Sequence, residues 1–378
     1  MPDAGFFGTE VRMEKRQRDI LPDVLKGFGI VLMVLGHCIQ SGSGMAYLEG
    51  ACYFEDKWYQ FLYSFHMPLF MVISGWYAWG SVRRAESGEA KRAMIRRKCV
   101  YLITPNVAWK LIEFAYMLSA GIYLYSGFSV LCKDIFVGIL TSNWFLWAIL
   151  YSFLLVCLMH YKFRDSVWIY VLIFLAAFFT PDGMGLNAYK YMLPYYLIGF
   201  YGNRNRERLL SLKVCRKFCE KGRLMAFLAP VVSGVLFFAL FSLFTEDSFI
   251  YLTGYKLIGK NYPVQLQIDF YRFFVGAAGI VFWAFVWRLV LLRFKESKVV
   301  RIFAYLGRRS LGIYLVSGML IVHAMLPITA SFAPHYGVNV LETVIMLALS
   351  AVLVEGLRRV KWLCRLVGEE RSKGLYEK

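Results

Sequence analysis

Long apolar runs recur along the chain from about Leu25 to Arg358, broken at short intervals by polar stretches. A bilayer core about 30 Å thick is crossed by about 20 helical residues, so each sufficient run reads as a membrane span. Ten spans are predicted: 24–40, 58–80, 99–125, 143–161, 166–180, 188–202, 224–244, 264–292, 303–326 and 338–357. Several carry polar residues inside them, which places those faces against protein or a cavity and away from lipid. The stretch 130–141 is apolar but too short to cross, and reads as an interfacial or re-entrant piece leading into Trp144. The fold class expected is all-α: a polytopic helical membrane protein of about ten transmembrane helices. A basic segment over 1–22 precedes the membrane domain over 23–358, and a basic tail covers 359–378.

Charge then orients the helices. Arg12, Lys15, Arg16 and Arg18 precede the first span, and seven Lys and Arg residues from Arg83 to Lys98 follow the second. Eight more from Arg204 to Arg223 follow the sixth, four from Arg293 to Arg301 follow the eighth, and the tail is basic again. The alternate loops hold only Lys57, Lys133, Lys256 and Lys260, with Glu55, Asp56, Asp134 and Asp182 among them. Lysine and arginine concentrate on cytoplasmic loops, so an even number of spans with both termini cytoplasmic satisfies the pattern. The net charge of +18 therefore reports topology and attraction to anionic membrane lipid, and gives no case for a nucleic-acid partner. Residues 1–20 lack the apolar core of a cleavable signal, so the first run is expected to remain as a span.

The eight cysteines have no regular spacing. Cys215 and Cys219 would need two further ligands to hold a metal, and none is at hand, so no metal is expected. Cys52 and Cys132 fall in loops on the same predicted side, where they either pair or stand as unrelated thiols. No internal repeat is visible.

The first span carries the most informative pair. Lys26 and His37 lie eleven residues apart, which at 100° and 1.5 Å per residue puts them on nearly one face, about 16 Å apart. A cation near one membrane surface thus lines up with an imidazole toward the other. The second span runs back and carries Ser64-Phe65-His66-Met67-Pro68, with His66 at a depth comparable to His37. Pro68 cannot donate its backbone hydrogen bond and is expected to kink the helix beside a protein-enclosed cavity. A neutral histidine is suited to take a proton from a hydroxyl nucleophile. The plainer alternative is that either ring only bridges helices.

Asp23-x-x-Lys26-Gly27 through Gly36-His37, followed by Phe65-His66-Met67-Pro68-Leu69-Phe70 and Ser74-Gly75, resembles the integral-membrane acyltransferase family 3, nearest its fucose 4-O-acetylase-like branch. The similarity continues through Arg96-Arg97-Lys98 to Pro105, Trp144-Phe145-Leu146-Trp147 and the stretch from Tyr305 to Leu315. The resemblance implies a ten-helix O-acyltransferase in a bacterial inner membrane. It would move an acyl group, usually acetyl from acetyl-CoA, onto a hydroxyl of a cell-surface glycan or its lipid-linked precursor. In that family a basic residue followed eleven positions later by histidine is the signature, matched by Lys26 and His37. The family pattern commonly ends in a histidine where this chain has Ser317, with His323 the nearest imidazole beyond.

CoA carries phosphates and cannot cross lipid, so it is expected to dock from the cytoplasm on Lys26, Arg96, Arg97, Lys98, Arg308 and Arg309. Its pantetheine arm would reach toward His37, the general base, with His66 a second candidate catalytic residue. Positive-inside topology by itself also predicts the basic cluster, and the alternative for Arg308 and Arg309 is that they snorkel to the interface. Trp144 and Trp147 are candidates to stack on a sugar ring. Lys110 with Glu113, and Asp269 with Arg272, are three apart and read as ion pairs; the second pair is also a candidate acceptor site. The rival reading is a carrier or exporter of a glycan or small solute using the same polar cavity. A membrane sensor is a third.

Overall fold

Four helix starts are fixed by side chains placed as capping residues. Asp19 accepts from the Leu21 N–H at 3.0 Å, Asp56 from Tyr59 at 2.8 Å, Ser87 from Ala90 at 3.1 Å and Ser297 from Val300 at 3.2 Å. Each satisfies an N–H that the first helical turn leaves open, and each is worth about 1 kcal/mol. The computed structural model describes residues 19–42, 52–124, 126–141, 143–179, 186–211, 222–249, 262–325 and 336–368. Among them the chain is helical, without strands. The cations before Asp19, the pair Cys215 and Cys219, and Asp182, Lys256 and Lys260 lie outside the described residues.

The helices are α1 (Leu21–Gly42), α2 (Lys57–Arg84), α3 (Gly88–Ser119), α4 (Phe128–Thr141), α5 (Trp144–Lys162), α6 (Val167–Phe179) and α7 (Leu186–Arg204). A short α8 (Arg206–Ser211) is followed by α9 (Gly222–Phe241), α10 (Tyr262–Phe294), α11 (Lys298–Arg308), α12 (Ser310–Leu320) and α13 (Tyr336–Arg359). Every expected span therefore corresponds to helix, with two differences. The short apolar piece is a regular 14-residue helix, α4. The ninth span is broken at Arg309, whose backbone (φ −111°, ψ 8°) leaves the helical region and divides it into α11 and α12. A single π turn, Ile321–Met325, then follows α12. Pro68 stands inside an unbroken α2.

On length and composition, Leu21–Gln40, Trp144–Lys162, Pro263–Phe294 and Tyr336–Arg359 are apolar and long enough to cross a membrane. The remaining long helices are interrupted by polar residues, and α2 shows where these go. Gln60, Ser64 and His66 are all buried, so α2 is enclosed by protein. Large aliphatic and aromatic side chains instead face outward from α6, α9 and α13, among them Trp168, Val235 and Val352. Surfaces so apolar are the ones a bilayer covers. The chain is an all-α, polytopic membrane protein.

Close helix approach is licensed by glycine. A Cβ on Gly27 of α1 would overlap the Phe303 carbonyl of α11, and one on Gly307 of α11 would overlap the Asp23 carbonyl of α1. Gly75 of α2 and Gly199 of α7 face the backbones of Tyr196 and Val72 in the same reciprocal way. In a bilayer, packing and not the hydrophobic effect drives helix association, so such backbone contact holds the two pairs together. After α13 the chain turns back: Cys364 and Val367 are buried, the Trp109 indole N–H donates to the Leu366 carbonyl at 2.8 Å, and Gly368 (φ 70°) closes the hook. Residues 360–368 thus pack on the bundle beside α3 and α12.

Candidate active site

The end of the bundle that carries the basic loops holds a cavity of about 800 Å³. α1 gives it Lys26, the end of α2 gives Arg84, α3 gives Arg97 and Lys98, and the break between α11 and α12 gives Arg308 and Arg309. The break is what turns two consecutive arginines to one space. Asp23 lies 3.0 Å from Lys26, and Glu355 takes the Arg309 guanidinium at 2.9 Å. Lys98 lies over the rings of Tyr101 and Phe153, and Arg309 over Tyr305 at 3.9 Å. A mouth so cationic with an apolar interior suits a polyphosphate head carrying a long neutral arm. Of the six residues the sequence offered for this role, five line the cavity. Arg96 does not; its side chain points outward and is exposed.

Inward, the cavity narrows among Ile30, Met33, Met67, Phe70 and Phe145, and neither histidine lines it. His37 is one turn beyond Met33, about 6 Å along α1, and His66 directly precedes Met67. The expected open path from Lys26 to His37 is therefore not continuous: the cavity lining on α1 stops at Met33, one turn short of His37, and on α2 at Met67, next to His66. The histidines do come together: the two rings are within electrostatic range, and Gln40 contacts the His37 ring. Gly36 makes room for this, since a Cβ there would lie 2.7 Å from the ring of Tyr63, which stands edge-on to His66 at 4.7 Å.

His66 is fully buried and its Nδ1 lies 2.6 Å from the Leu62 carbonyl. A carbonyl only accepts, so Nδ1 bears the proton and Nε2 of the neutral ring presents its lone pair. Among the described residues Nε2 has no hydrogen-bond partner. A desolvated imidazole in a fixed tautomer with a bare nitrogen is a ready proton acceptor.

On the far side of Met67 is a second, much smaller cavity of about 20 Å³, room for about one water. Arg272, Tyr191, Ser64 and Ser248 bring its polar groups, and Met67 lines it too. Arg272 is paired with Asp269 and lies over the Tyr191 ring at 4.7 Å. Tyr191 and Tyr195 donate to the Arg272 carbonyl at 2.7 and 3.2 Å. The Asp269–Arg272 pair anticipated from spacing is thus real and level with the histidines. Trp144 and Trp147 line neither cavity: Trp147 donates to the Ile139 carbonyl at 3.0 Å and Trp144 packs on Phe145. Trp147 thus ties α5 to α4.

Lys110 and Glu113 pair at 3.0 Å, and the π turn brings His323 Nε2 to 3.6 Å from Glu113 with its ring against Tyr116. Ser317 is fully buried in α12. Three features escaped the sequence reading. Arg84 and Glu355 looked like ordinary interfacial charges. Glu342, at 4% exposure opposite Cys38, has no hydrogen-bond partner for either oxygen among the described residues; only its burial sets it apart. Nothing in residue type marks Met33 and Met67.

Comparison with known proteins places this geometry in context. A family model described as an acyltransferase domain matches residues 20–354. The Nodulation protein NolL of Mesorhizobium japonicum is 30% identical over 186 residues, 48% of this chain and 47% of the relative. Its namesake from Sinorhizobium fredii is 32% identical over 185 residues, 48% of each chain. The chain thus spans about half the length of the curated relatives it matches. No solved structure matches.

Proposed function

The chain belongs to the acyltransferase family whose domain covers residues 20–354, and from that premise we propose that it is a membrane O-acyltransferase using acyl-CoA. The donor binds from the cytoplasm with its phosphates against Lys26, Arg97, Lys98 and Arg308 and its pantetheine arm in the apolar interior. The acceptor is a hydroxyl of a cell-surface glycan or its lipid-linked precursor, entering from the opposite face beside Arg272 and Asp269. Carriage of an acetyl group, and residence in a bacterial inner membrane, belong to the same reading.

One observation supports it: six cations from four separate chain segments converge on a single cavity, whose lining reaches Met33, one turn from His37, and Met67, next to His66. Membrane topology explains basic loops, but it does not explain their convergence above an apolar slot. In the reaction the acceptor oxygen bonds to the thioester carbonyl carbon, the C–S bond breaks, and the hydroxyl proton passes to an imidazole. That proton then neutralises the departing thiolate. His37 is the general base, with His66 beside it in a tautomer that leaves Nε2 free to share the proton. General bases contribute about 10²–10⁴-fold, so His37→Ala is expected to abolish transfer in a protein that still inserts. The test measures CoA thiol release from acetyl-CoA by purified protein, together with the acetyl mass increment on surface glycan with and without the chain. Full acylation by a well-folded His37→Ala variant overturns the assignment. A thioester left untouched by the unmodified chain favours a carrier.

A further inference from the structure

On the two helices that carry the histidines, the lining residue nearest each histidine is a methionine. Met33 of α1, one turn from His37, and Met67 of α2, next to His66, line the large cavity at 2% and 7% exposure. They pack in different parts of the core. Met33 lies with Ile313, Val316 and Val354 of α12 and α13, Met67 with Phe145, Tyr195 and Tyr196 of α5 and α7. The cavity runs along the seam between these clusters, with one thioether on each side. Met67 lines both the large cavity and the small one that holds Arg272, and is common to the two linings.

From this we infer that Met33 and Met67 are a gate between the donor cavity and the transfer site, opened as the donor's arm enters. The inference rests on the acyl-CoA reading above. Three physical points support it. Methionine has three flexible torsions and no branch, so it clears a path by rotamer change at little cost. Pro68, directly after Met67, removes a backbone hydrogen bond from α2, so the helix is least braced where the gate hangs from it. Closure also has a chemical purpose. A thioester resting beside two neutral imidazoles with water present would be hydrolysed: water oxygen bonds to the carbonyl carbon, the C–S bond breaks, and the water proton ends on sulfur. Two methionines that admit the thioester only while the donor is docked keep water from the base. Neither touches the reacting atoms by assignment; both act as positioning residues.

The experiment has two arms that fail separately. The first uses Ser64→Cys in the small cavity, inside-out vesicles and the membrane-impermeant thiol reagent methanethiosulfonate ethylsulfonate, with the parent chain correcting for native cysteines. With both methionines present, labelling from the cytoplasmic face stays at background; adding Met67→Ala raises its rate at least tenfold, while Met67→Leu does not. The second arm follows acetyl-CoA hydrolysis without acceptor, which rises at least fivefold in Met67→Ala and in Met33→Ala. Thermal melts identify which variants fold, and Met33→Ala stands in should Met67→Ala fail. Unchanged labelling in a folded alanine variant overturns the gate. Accelerated labelling in a protein that never consumes acetyl-CoA leaves the gate standing and overturns the donor assignment instead.

Discussion

At the scale of single residues, the tautomer of His66 is the most consequential detail. Its Nδ1 is committed to the Leu62 carbonyl, so asparagine keeps a donor there but has no basic nitrogen. His66→Asn is expected to fold as the parent does while kcat falls on the order of 10²-fold; an unchanged kcat makes His66 structural only. Lys26 has a different signature. A charge-assisted hydrogen bond to phosphate is worth about 1.5–3 kcal/mol, and the phosphates stay bound through the reaction. Lys26→Gln should therefore raise the KM for acetyl-CoA about 10- to 100-fold with kcat nearly constant. Arg96→Gln is the matched control, since that side chain is off the cavity. Equal effects from Lys26 and Arg96 would mean that diffuse positive charge, not the cavity, holds the donor. Both histidines and Lys26 were legible from the chain, because polar groups inside apolar runs stand out. Arg96 and Arg97 look the same in sequence and both are exposed; a 100° turn of α3 separates the one that lines the cavity from the one that does not.

At the scale of helices, pairing rests on missing Cβ atoms. Gly27→Ala and Gly75→Ala push a methyl group into a neighbouring backbone, which cannot yield without parting the helices; about 1–3 kcal/mol or more is lost. Gly318 meets nothing within 4 Å, so Gly318→Ala should be neutral or gain up to about 1 kcal/mol in helix propensity. Thermal melts in detergent compare the three, and equal melting would remove the glycine argument. The α5–α6 connection offers a pH test. Asp165 is partly desolvated, which raises its carboxyl pKa, yet hydrogen bonds from His160 and Tyr201 at 2.7 Å and the Arg204 guanidinium outweigh this and hold it below the usual range. A depressed carboxylate contributes stability that is complete above its unfolded pKa of about 3.9 and is lost as pH falls through the folded value. The stability difference between the parent and Asp165→Asn is expected to be full at neutral pH and to shrink below about pH 4. A difference that grows on acidification contradicts the assignment. Hydrophobic periodicity found the spans but not the break at Arg309, because a change of backbone at one residue leaves no mark in hydropathy; the Gly307 contact with α1 and the Arg309–Glu355 pair flank it.

At the scale of the molecule, the C-terminal hook contributes to the large cavity: Val367 and Gly368 line it, although residues after 354 fall outside the matched family domain. Ending the chain at Lys361 strips Trp109 of its acceptor and removes these two residues from the cavity lining. The donor KM should rise severalfold, with about 1–3 kcal/mol lost where the buried indole N–H is left unpaired. Donor kinetics identical to the full chain would show the hook to be incidental. The sequence by itself determined the helical membrane architecture and the placing of Lys26 and His37 in one helix, because hydropathy and helical phase are properties of neighbouring residues. It was silent on the helix break at Arg309, on the lining roles of Arg84, Met33 and Met67, and on the hook. Those arise where segments distant in the chain pack together, and which side chain faces the shared space is decided by crossing helices at glycine contacts that no local pattern encodes.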